Sequence, residues 1–223
     1  MLRAGALAPL VHYVDAACGN PAVVFGPRAS SVLDRNALIP VADAGLAFER
    51  AALALGEPDL GVRLGERTRP EEIGALARVT MASPTLGGAL AALVRNGSRF
   101  NTGQVYWLEL ASDEARLHRS YTRALSRGRA PAGEYALLLS LQLFRLAAGP
   151  GWRPSEIWLE GEPPAYAERL AVLADRGVRF GSSHTTVVFP APLMSTIQEI
   201  GSFLSSEALA SATATATSDG TRS

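Results

Sequence analysis

A change in the spacing of apolar residues at Gly103 limits the folds open to this chain more than any other feature. Before Gly103 apolar side chains recur every three or four residues, as on one face of a helix. After it they alternate, and Val105–Leu110 predicts a strand that a polar turn joins to a returning strand over 115–122. A helical first part therefore precedes a part that contains a sheet.

The first part predicts helices with clear start and stop residues. One helix has Leu7, Leu10, Val11 and Val14 on one face, and a firmer one begins at Pro40 and stops at Gly56. A weaker helical segment covers 31–38 between them. We expect no strand before Gly103.

The stretch from Leu60 to Asn101 predicts two helices in series. The first begins with Pro70 in its first turn, where the missing N–H costs nothing. Residues 81–84, which end in a proline, separate the two helices. Thr85 is the predicted N-cap of the second, which has apolar residues at helical spacing from Leu86 onward.

The second part predicts two more strands, over 155–159 and 185–189, and two helices, over 134–148 and 164–175. The helix 134–148 is apolar on nearly all sides, which indicates burial. We therefore predict an α+β fold, in which an N-terminal helical cluster packs with a small, mainly antiparallel sheet that carries two further helices. Residues 1–101 and 102–194 should form one compact unit, followed by a short helix and a disordered tail over 195–223.

Charge and composition exclude several classes of function. The formal net charge is zero, so no global field favours nucleic acid. The sequence has no lysine, which excludes Schiff-base chemistry and a P-loop. Cys18 is the only cysteine and excludes an internal disulfide. No stretch reaches the roughly 20 apolar residues of a membrane span, so we expect a cytoplasmic protein without membrane contact.

Catalytic and metal-binding motifs are missing from the sequence. His12, His118 and His184 lie far apart, and none has the spacing of a zinc site. We expect no metal and no cofactor, and the sequence favours a protein that is not an enzyme without deciding the matter.

Polar and aromatic residues on the predicted sheet and its covering helix are the candidates for ligand binding. For His118 an exposed strand face is the favoured alternative, and for Gln142 and Arg145 an edge position is an equal one. A basic run over 116–129 could hold an anion, although a solvated strand end explains it as well. Aromatic residues usually form core, but they would also line an apolar pocket. The candidates are Tyr106, His118, Tyr121, Tyr135, Gln142, Arg145 and Trp158.

Four sequence segments carry a resemblance to a known family. They are LGERTRPEEIGALARVTMASPTLGGALAALVR, Gly149–Pro154, Val178–Gly181 and Val187–Pro190, in this order. Together they resemble the ligand-binding N-terminal domain, often labelled arabinose-binding, of AraC/XylS-type bacterial transcription regulators. The resemblance covers roughly residues 10–193 and implies a sensory module for a small molecule. Together with the apolar helix 134–148, it favours a largely apolar ligand.

In that family a DNA-binding segment of two helix-turn-helix units follows. The residues after Met194 lack the apolar pattern of such a unit, so we expect no specific nucleic-acid binding by this chain. Two alternatives stay open. The scaffold could have become an enzyme that uses acid–base or shape-driven catalysis, or the protein could act by dimerising, with itself or with full-length relatives.

Overall fold

The computed structural model describes residues 1–34, 37–69, 72, 75–122 and 127–197. Nine α-helices lie in these ranges: α1 Ala8–Cys18, α2 Pro21–Phe25, α3 Ala29–Leu33, α4 Val41–Leu55, α5 Leu60–Arg67, α6 Ala75–Met81, α7 Leu86–Phe100, α8 Arg129–Ala148 and α9 Ala167–Ala171. The strands are β1 Leu2–Arg3, β2 Leu38–Ile39, β3 Gln104–Leu110, β4 Glu114–Tyr121, β5 Glu156–Glu160, β6 Val178–Ser182 and β7 Thr185–Pro190. The fold is α+β, as predicted.

Two short strands correct the prediction for the N-terminal part. Strand β1 pairs antiparallel with β2, so strands do occur before Gly103. The helix predicted over 31–38 is wrong at its C-terminal end, because Leu38 belongs to β2 and α3 ends at Leu33. Pro40 disfavours helical geometry at the residue before it, which leaves Ile39 extended. Two-residue strands are too short for alternation to reveal them.

A third helix, α5, lies in the stretch for which two were predicted. Its glycines, Gly61 and Gly65, face α8 so closely that a Cβ at Gly61 would lie 2.2 Å from the carbonyl oxygen of Pro131. Glycine disfavours helices, which hid α5 in the sequence, yet here it permits close contact between two helices. The predicted start of the next helix at Pro70 lies outside the described residues.

Helix α7 follows the prediction closely. Thr85 is its N-cap, and the side-chain oxygen of Thr85 accepts a hydrogen bond from Gly88 N at 3.2 Å. The segment after the sheet folds back onto this end of α7, where Leu86 N donates to Thr196 O at 3.1 Å and Thr85 forms a bridge with Ile197. The rest of the predicted C-terminal helix and the predicted tail lie outside the described residues.

The sheet has five strands in the order β3-β4-β7-β5-β6. All neighbouring pairs are antiparallel except β5 and β6. Strand β6 was not predicted, α8 begins five residues earlier than expected, and α9 covers only part of the predicted helix 164–175. The inner face of the sheet, on the side of α8, includes Leu117, Ile157 and Phe189, all buried.

Helix α8 takes part in two apolar clusters. Its Leu137, Leu141 and Phe144 pack with the inner face of the sheet. Its Tyr135 packs with the N-terminal helices, where Phe48 is a neighbour. Burial on both sides explains the nearly uniform apolar character of α8 in the sequence. Within the described ranges, no helix combines the length and the apolarity that crossing a bilayer requires.

Candidate ligand-binding cavity

A cavity of about 570 Å³ lies between the N-terminal segment, helices α4, α6, α7 and α8, and the hairpin of β3 and β4. Small-molecule sites in proteins usually occupy about 300–1,000 Å³. Apolar side chains form much of the wall, among them Leu7, Phe48, Leu93, Phe100, Leu139 and Leu143. The cavity therefore has the size and the wall of a site for a small organic molecule.

One face of α8 forms a long side of the cavity. The lining residues of α8 recur at helical spacing, as Ala132, Tyr135, Ala136, Leu139, Ser140 and Leu143. Alanine and serine fill little of the space that leucine would occupy at the same positions. The same helix that packs the core with its other residues thus leaves room on this face.

Three of the predicted site residues line the cavity: Tyr106, Tyr121 and Tyr135. The Tyr106 hydroxyl donates to Gln104 Oε1 at 3.0 Å. The hydroxyls of Tyr121 and Tyr135 are buried, and neither has a hydrogen bond of good geometry to a residue that the structure describes. Burial raises the pKa of Tyr106 and of Tyr135, so both phenols are neutral at physiological pH. The cavity wall thus offers neutral hydroxyl groups that a ligand could use.

Arg119 lies on the inner face of β4, directly behind this wall. It is opposite Tyr106 in the β3–β4 pair, and its guanidinium carbon is 5.0 Å from the ring centre of Tyr121. The residue is only 4% exposed, and its Nη2 donates to Gly133 O and to Thr185 Oγ1. Its Nε and Nη1 have no hydrogen-bond acceptor among the described residues. A buried arginine with unused donors is unusual, because desolvating an unpaired charge is costly.

Charged side chains reach the cavity at its exposed edge. Arg3, Glu72 and Arg78 are exposed and belong to the lining. Glu72 has a hydrogen bond from Arg69 N at 2.9 Å, whereas the ion pairs of the described residues include no partner for Arg3 or Arg78. The described rim therefore contains more cationic than anionic groups.

The two polar candidates of α8 lie outside the cavity lining. Gln142 donates through Nε2 to the carbonyl oxygens of Gly65 and Thr68 and joins α8 to the end of α5. Arg145 donates through Nε to Trp152 O at 3.4 Å. Each side chain satisfies backbone groups of a neighbouring segment, which explains why a polar residue is tolerated in so apolar a helix.

The other two candidates, His118 and Trp158, lie on the outer face of the sheet, away from the cavity. The expectation of an exposed strand face is wrong for His118, which is 3% exposed. Its ring stacks on Trp107 at 4.8 Å and meets His184 edge-on at 4.9 Å, so aromatic neighbours shield it. Its Nδ1 lies 3.0 Å from Thr186 Oγ1 and its Nε2 lies 3.2 Å from Glu109 Oε2.

Arg119 was not among the seven candidate residues, although it belongs to the basic run that was considered as a site for an anion. Alternation along β4 places it on the same face as Leu117 and Tyr121, and a charge on an apolar strand face was the available signal. The described arginines of the basic run over 116–129 point to different partners and do not form one patch. Arg116 faces outward with Glu109, Arg127 pairs with Glu49, and Arg129 pairs with Glu160.

The described part of the chain offers few other groups for metal binding or acid–base chemistry. No group of three or more histidine, cysteine or acidic side chains is placed to hold a metal ion there. Glu134 is buried, and desolvation raises its pKa to about 7 despite a hydrogen bond from the Tyr166 hydroxyl at 2.8 Å. It lies outside the cavity lining.

Comparisons with known proteins agree with this geometry. The sequence matches the family described as the arabinose-binding domain of AraC transcription regulators, N-terminal, over residues 25–196. The crystal structure of the transcriptional regulator CdpR from Pseudomonas aeruginosa is similar in fold, with a TM-score of 0.57 and 16% identity over 78% of this chain. The chain spans 56% of that regulator. No curated protein matches the sequence.

Proposed function

This chain belongs to the family of arabinose-binding N-terminal domains of AraC transcription regulators, and from that premise we propose that its cavity binds a small, largely apolar molecule. The single observation that supports this proposal is the cavity of about 570 Å³ with its mainly apolar wall. A solid core at this position would have left a regulator domain without an evident place for a ligand.

The character of the wall argues against a free sugar as the ligand, in spite of the family label. Every hydroxyl of a sugar needs a hydrogen-bond partner when it leaves water, or its burial costs several kcal/mol. The described side chains Thr80 and Ser140 use their hydroxyls on carbonyl groups of their own helices. Tyr121 and Tyr135 supply two free hydroxyls, which suit a molecule with one polar end better than a polyol.

The proposed role is regulatory: occupancy of the cavity changes how the domain acts on whatever it is joined to or bound by. Helix α7 offers a physical connection. It lines the cavity with Leu93, Gly97 and Phe100, and its first residues hold the chain near Thr196 through a backbone hydrogen bond. A shift of α7 on ligand binding would therefore move the segment that leaves the sheet.

Filling the cavity tests this function. Ala136→Phe places a ring in the cavity, whereas Ala130→Phe adds the same ring at an exposed position of the same helix outside the lining. Thermal denaturation with phenylalkanols of increasing chain length, and with arabinose, reports binding as stabilisation. A ligand at a hundredfold excess over Kd stabilises by about 2.7 kcal/mol.

We expect a phenylalkanol to stabilise the wild type and Ala130→Phe, and to leave Ala136→Phe unchanged. Circular dichroism checks that both variants are folded. Stabilisation of Ala136→Phe equal to that of the wild type would show that the molecules bind elsewhere, and stabilisation by arabinose alone would show that the apolar wall has been misjudged.

A further inference from the structure

The strongest unexplained feature next to the cavity is the charge of Arg119. Arginine has five N–H donors in a planar fork and keeps its charge at any physiological pH. Within the described part of the chain only Nη2 makes hydrogen bonds, one to Gly133 O at 3.3 Å and one to Thr185 Oγ1 at 3.0 Å. Both acceptors are neutral. The donors on Nε and Nη1 are buried and unused.

No carboxylate of the described residues compensates this charge. Arg119 takes part in none of their ion pairs, whereas Arg127 pairs with Glu49 and Arg129 pairs with Glu160. Glu160 is the acidic group whose field reaches Arg119, and it pairs with Arg129. A buried charge without a counter-charge costs far more than a paired one, so this position favours an anion from outside the described chain.

Arg119 does not line the cavity itself, but it lies behind the wall that the β3–β4 hairpin forms at one end of it. Tyr106 and Tyr121 flank Arg119 on the same sheet face, and both line the cavity. The Tyr121 hydroxyl lies beside the guanidinium and is itself buried without a partner of good geometry. A ligand group in the cavity would therefore reach the guanidinium only by passing between the side chains of Tyr106 and Tyr121.

We propose that the ligand carries a carboxylate, which binds between Tyr106 and Tyr121 against Arg119. This inference rests on the proposed function. A carboxylate matches the guanidinium fork with two parallel hydrogen bonds, and its single charge equals the single uncompensated charge. A phosphate monoester carries nearly two charges and would leave the site negative, because one guanidinium supplies a single positive charge. The apolar part of the molecule then extends toward Leu139 and Leu143 of α8.

The test separates the head group from the apolar part of the ligand. Isothermal titration of the full chain compares 4-phenylbutyrate with 4-phenylbutanol, which share the ring and the chain and differ in the charged end. A hydrogen bond to a charged group contributes about 1.5–3 kcal/mol, so the acid should bind at least about tenfold more tightly than the alcohol.

Three variants test which residues cause the preference for the acid over the alcohol. In Arg119→Gln the acid should lose its advantage, so that the ratio of the two affinities falls to about one. In Tyr121→Phe the ratio should fall severalfold while the alcohol binds as before. Arg116→Gln is the matched control, because Arg116 lies on the same strand but faces outward and pairs with Glu109. It should leave the ratio unchanged.

The outcomes distinguish this inference from the function on which it rests. Equal binding of acid and alcohol by the wild type overturns the carboxylate and leaves the cavity as a binding site for neutral molecules. Loss of the ratio in Arg116→Gln as well as in Arg119→Gln shows attraction by surface charge and overturns the site. Binding of neither probe, together with no effect of Ala136→Phe on any phenylalkanol, removes the proposed function itself. If Arg119→Gln does not fold, Tyr121→Phe, which deletes only an oxygen atom, still decides.

Discussion

The two faces of the five-stranded sheet treat polar side chains in opposite ways, although β4 supplies residues to both. On the outer face Glu114, Arg116 and His118 of β4 each have a charged or polar partner. Arg116 pairs with Glu109 and Glu114, although its Nε has no acceptor, and both ring nitrogens of His118 have polar neighbours. On the inner face Arg119 and Tyr121 are buried with unused hydrogen-bonding groups.

The two faces therefore differ in how far the chain itself supplies partners for buried polar groups. On the outer face the rings of Trp107 and His184 cover His118. The inner face is solid at one end, where Phe144 packs, and open at the other, where the cavity begins. Unused buried donors and an open volume occur together, which is the combination that a ligand can resolve.

The largest expected effect separates the solid inner face from the outer face. Phe144 has no exposed surface, stacks on Trp152 at 4.8 Å and meets Phe189 edge-on. Phe144→Ala should reduce the free energy of unfolding by about 3–5 kcal/mol, because it opens a void in a packed core. Trp158→Ala on the outer face should cost no more than about 2 kcal/mol, since it mainly removes cation–π contacts near the surface.

Urea denaturation at equilibrium measures both variants. If Trp158→Ala destabilises the protein as much as Phe144→Ala does, the outer face contributes to the core as much as the inner face, and the contrast between the two fails.

A smaller effect concerns pH and the helix that covers the inner face. Desolvation raises the pKa of Glu134 to about 7, above its ordinary value, so the folded state binds a proton that the unfolded state has released. The contribution is fully present below the unfolded pKa and is lost as the pH rises through about 7. The loss is on the order of 3 kcal/mol. Glu134→Gln should remove this decline and be more stable than the wild type above pH 7.

Thermal denaturation across the pH range from 5 to 8 gives the measurement, with the exposed Glu162→Gln as the control. The outer face has the opposite sign. Desolvation lowers the pKa of His118, so its contribution is present above the ordinary histidine pKa and is lost as the pH falls. A wild-type decline that persists in Glu134→Gln would mean that the carboxylate is hydrated in the folded state.

Periodicity predicted much of this arrangement and missed what depends on contacts between distant segments. The alternation of β4 correctly placed Leu117, Arg119 and Tyr121 on one face and His118 on the other. It could not reveal that Trp107 and His184 cover His118, because His184 lies in the turn between β6 and β7, far from His118 in the sequence. The burial of the outer face is therefore a tertiary property with no local signal.

The candidate site shows the same division. Tyr106, Tyr121 and Tyr135 line the cavity, and their role in binding stays a prediction. Polarity in an apolar helix suggested Gln142 and Arg145, but both contact backbone carbonyls instead. The sequence cannot tell a polar residue that binds a ligand from one that closes a backbone hydrogen bond, since both lie in apolar surroundings. Helix α5 was missed because glycine has a low helix propensity, whereas the glycines of α5 allow close packing against α8.

The smallest expected effect tests whether the two faces are independent. Glu109 is 54% exposed, and its hydrogen bond to His118 Nε2 raises the pKa of that histidine against the larger effect of desolvation, which lowers it. Glu109→Gln should lower the pKa of His118 further, because the protonated ring loses its acceptor with a negative charge. Stability at neutral pH should change by less than about 1 kcal/mol, since solvent screens a pair with so exposed a partner.

Proton NMR titration of the His118 ring gives the measurement, and His118→Gln assigns its signal against His12 and His184. The same variant titrated with 4-phenylbutyrate and 4-phenylbutanol should show the wild-type ratio of affinities, because Glu109 and Arg119 point to opposite sides of neighbouring strands. A change in that ratio would show that charge on the outer face reaches the cavity through the sheet. The closed and the open face would then act as one electrostatic unit rather than two.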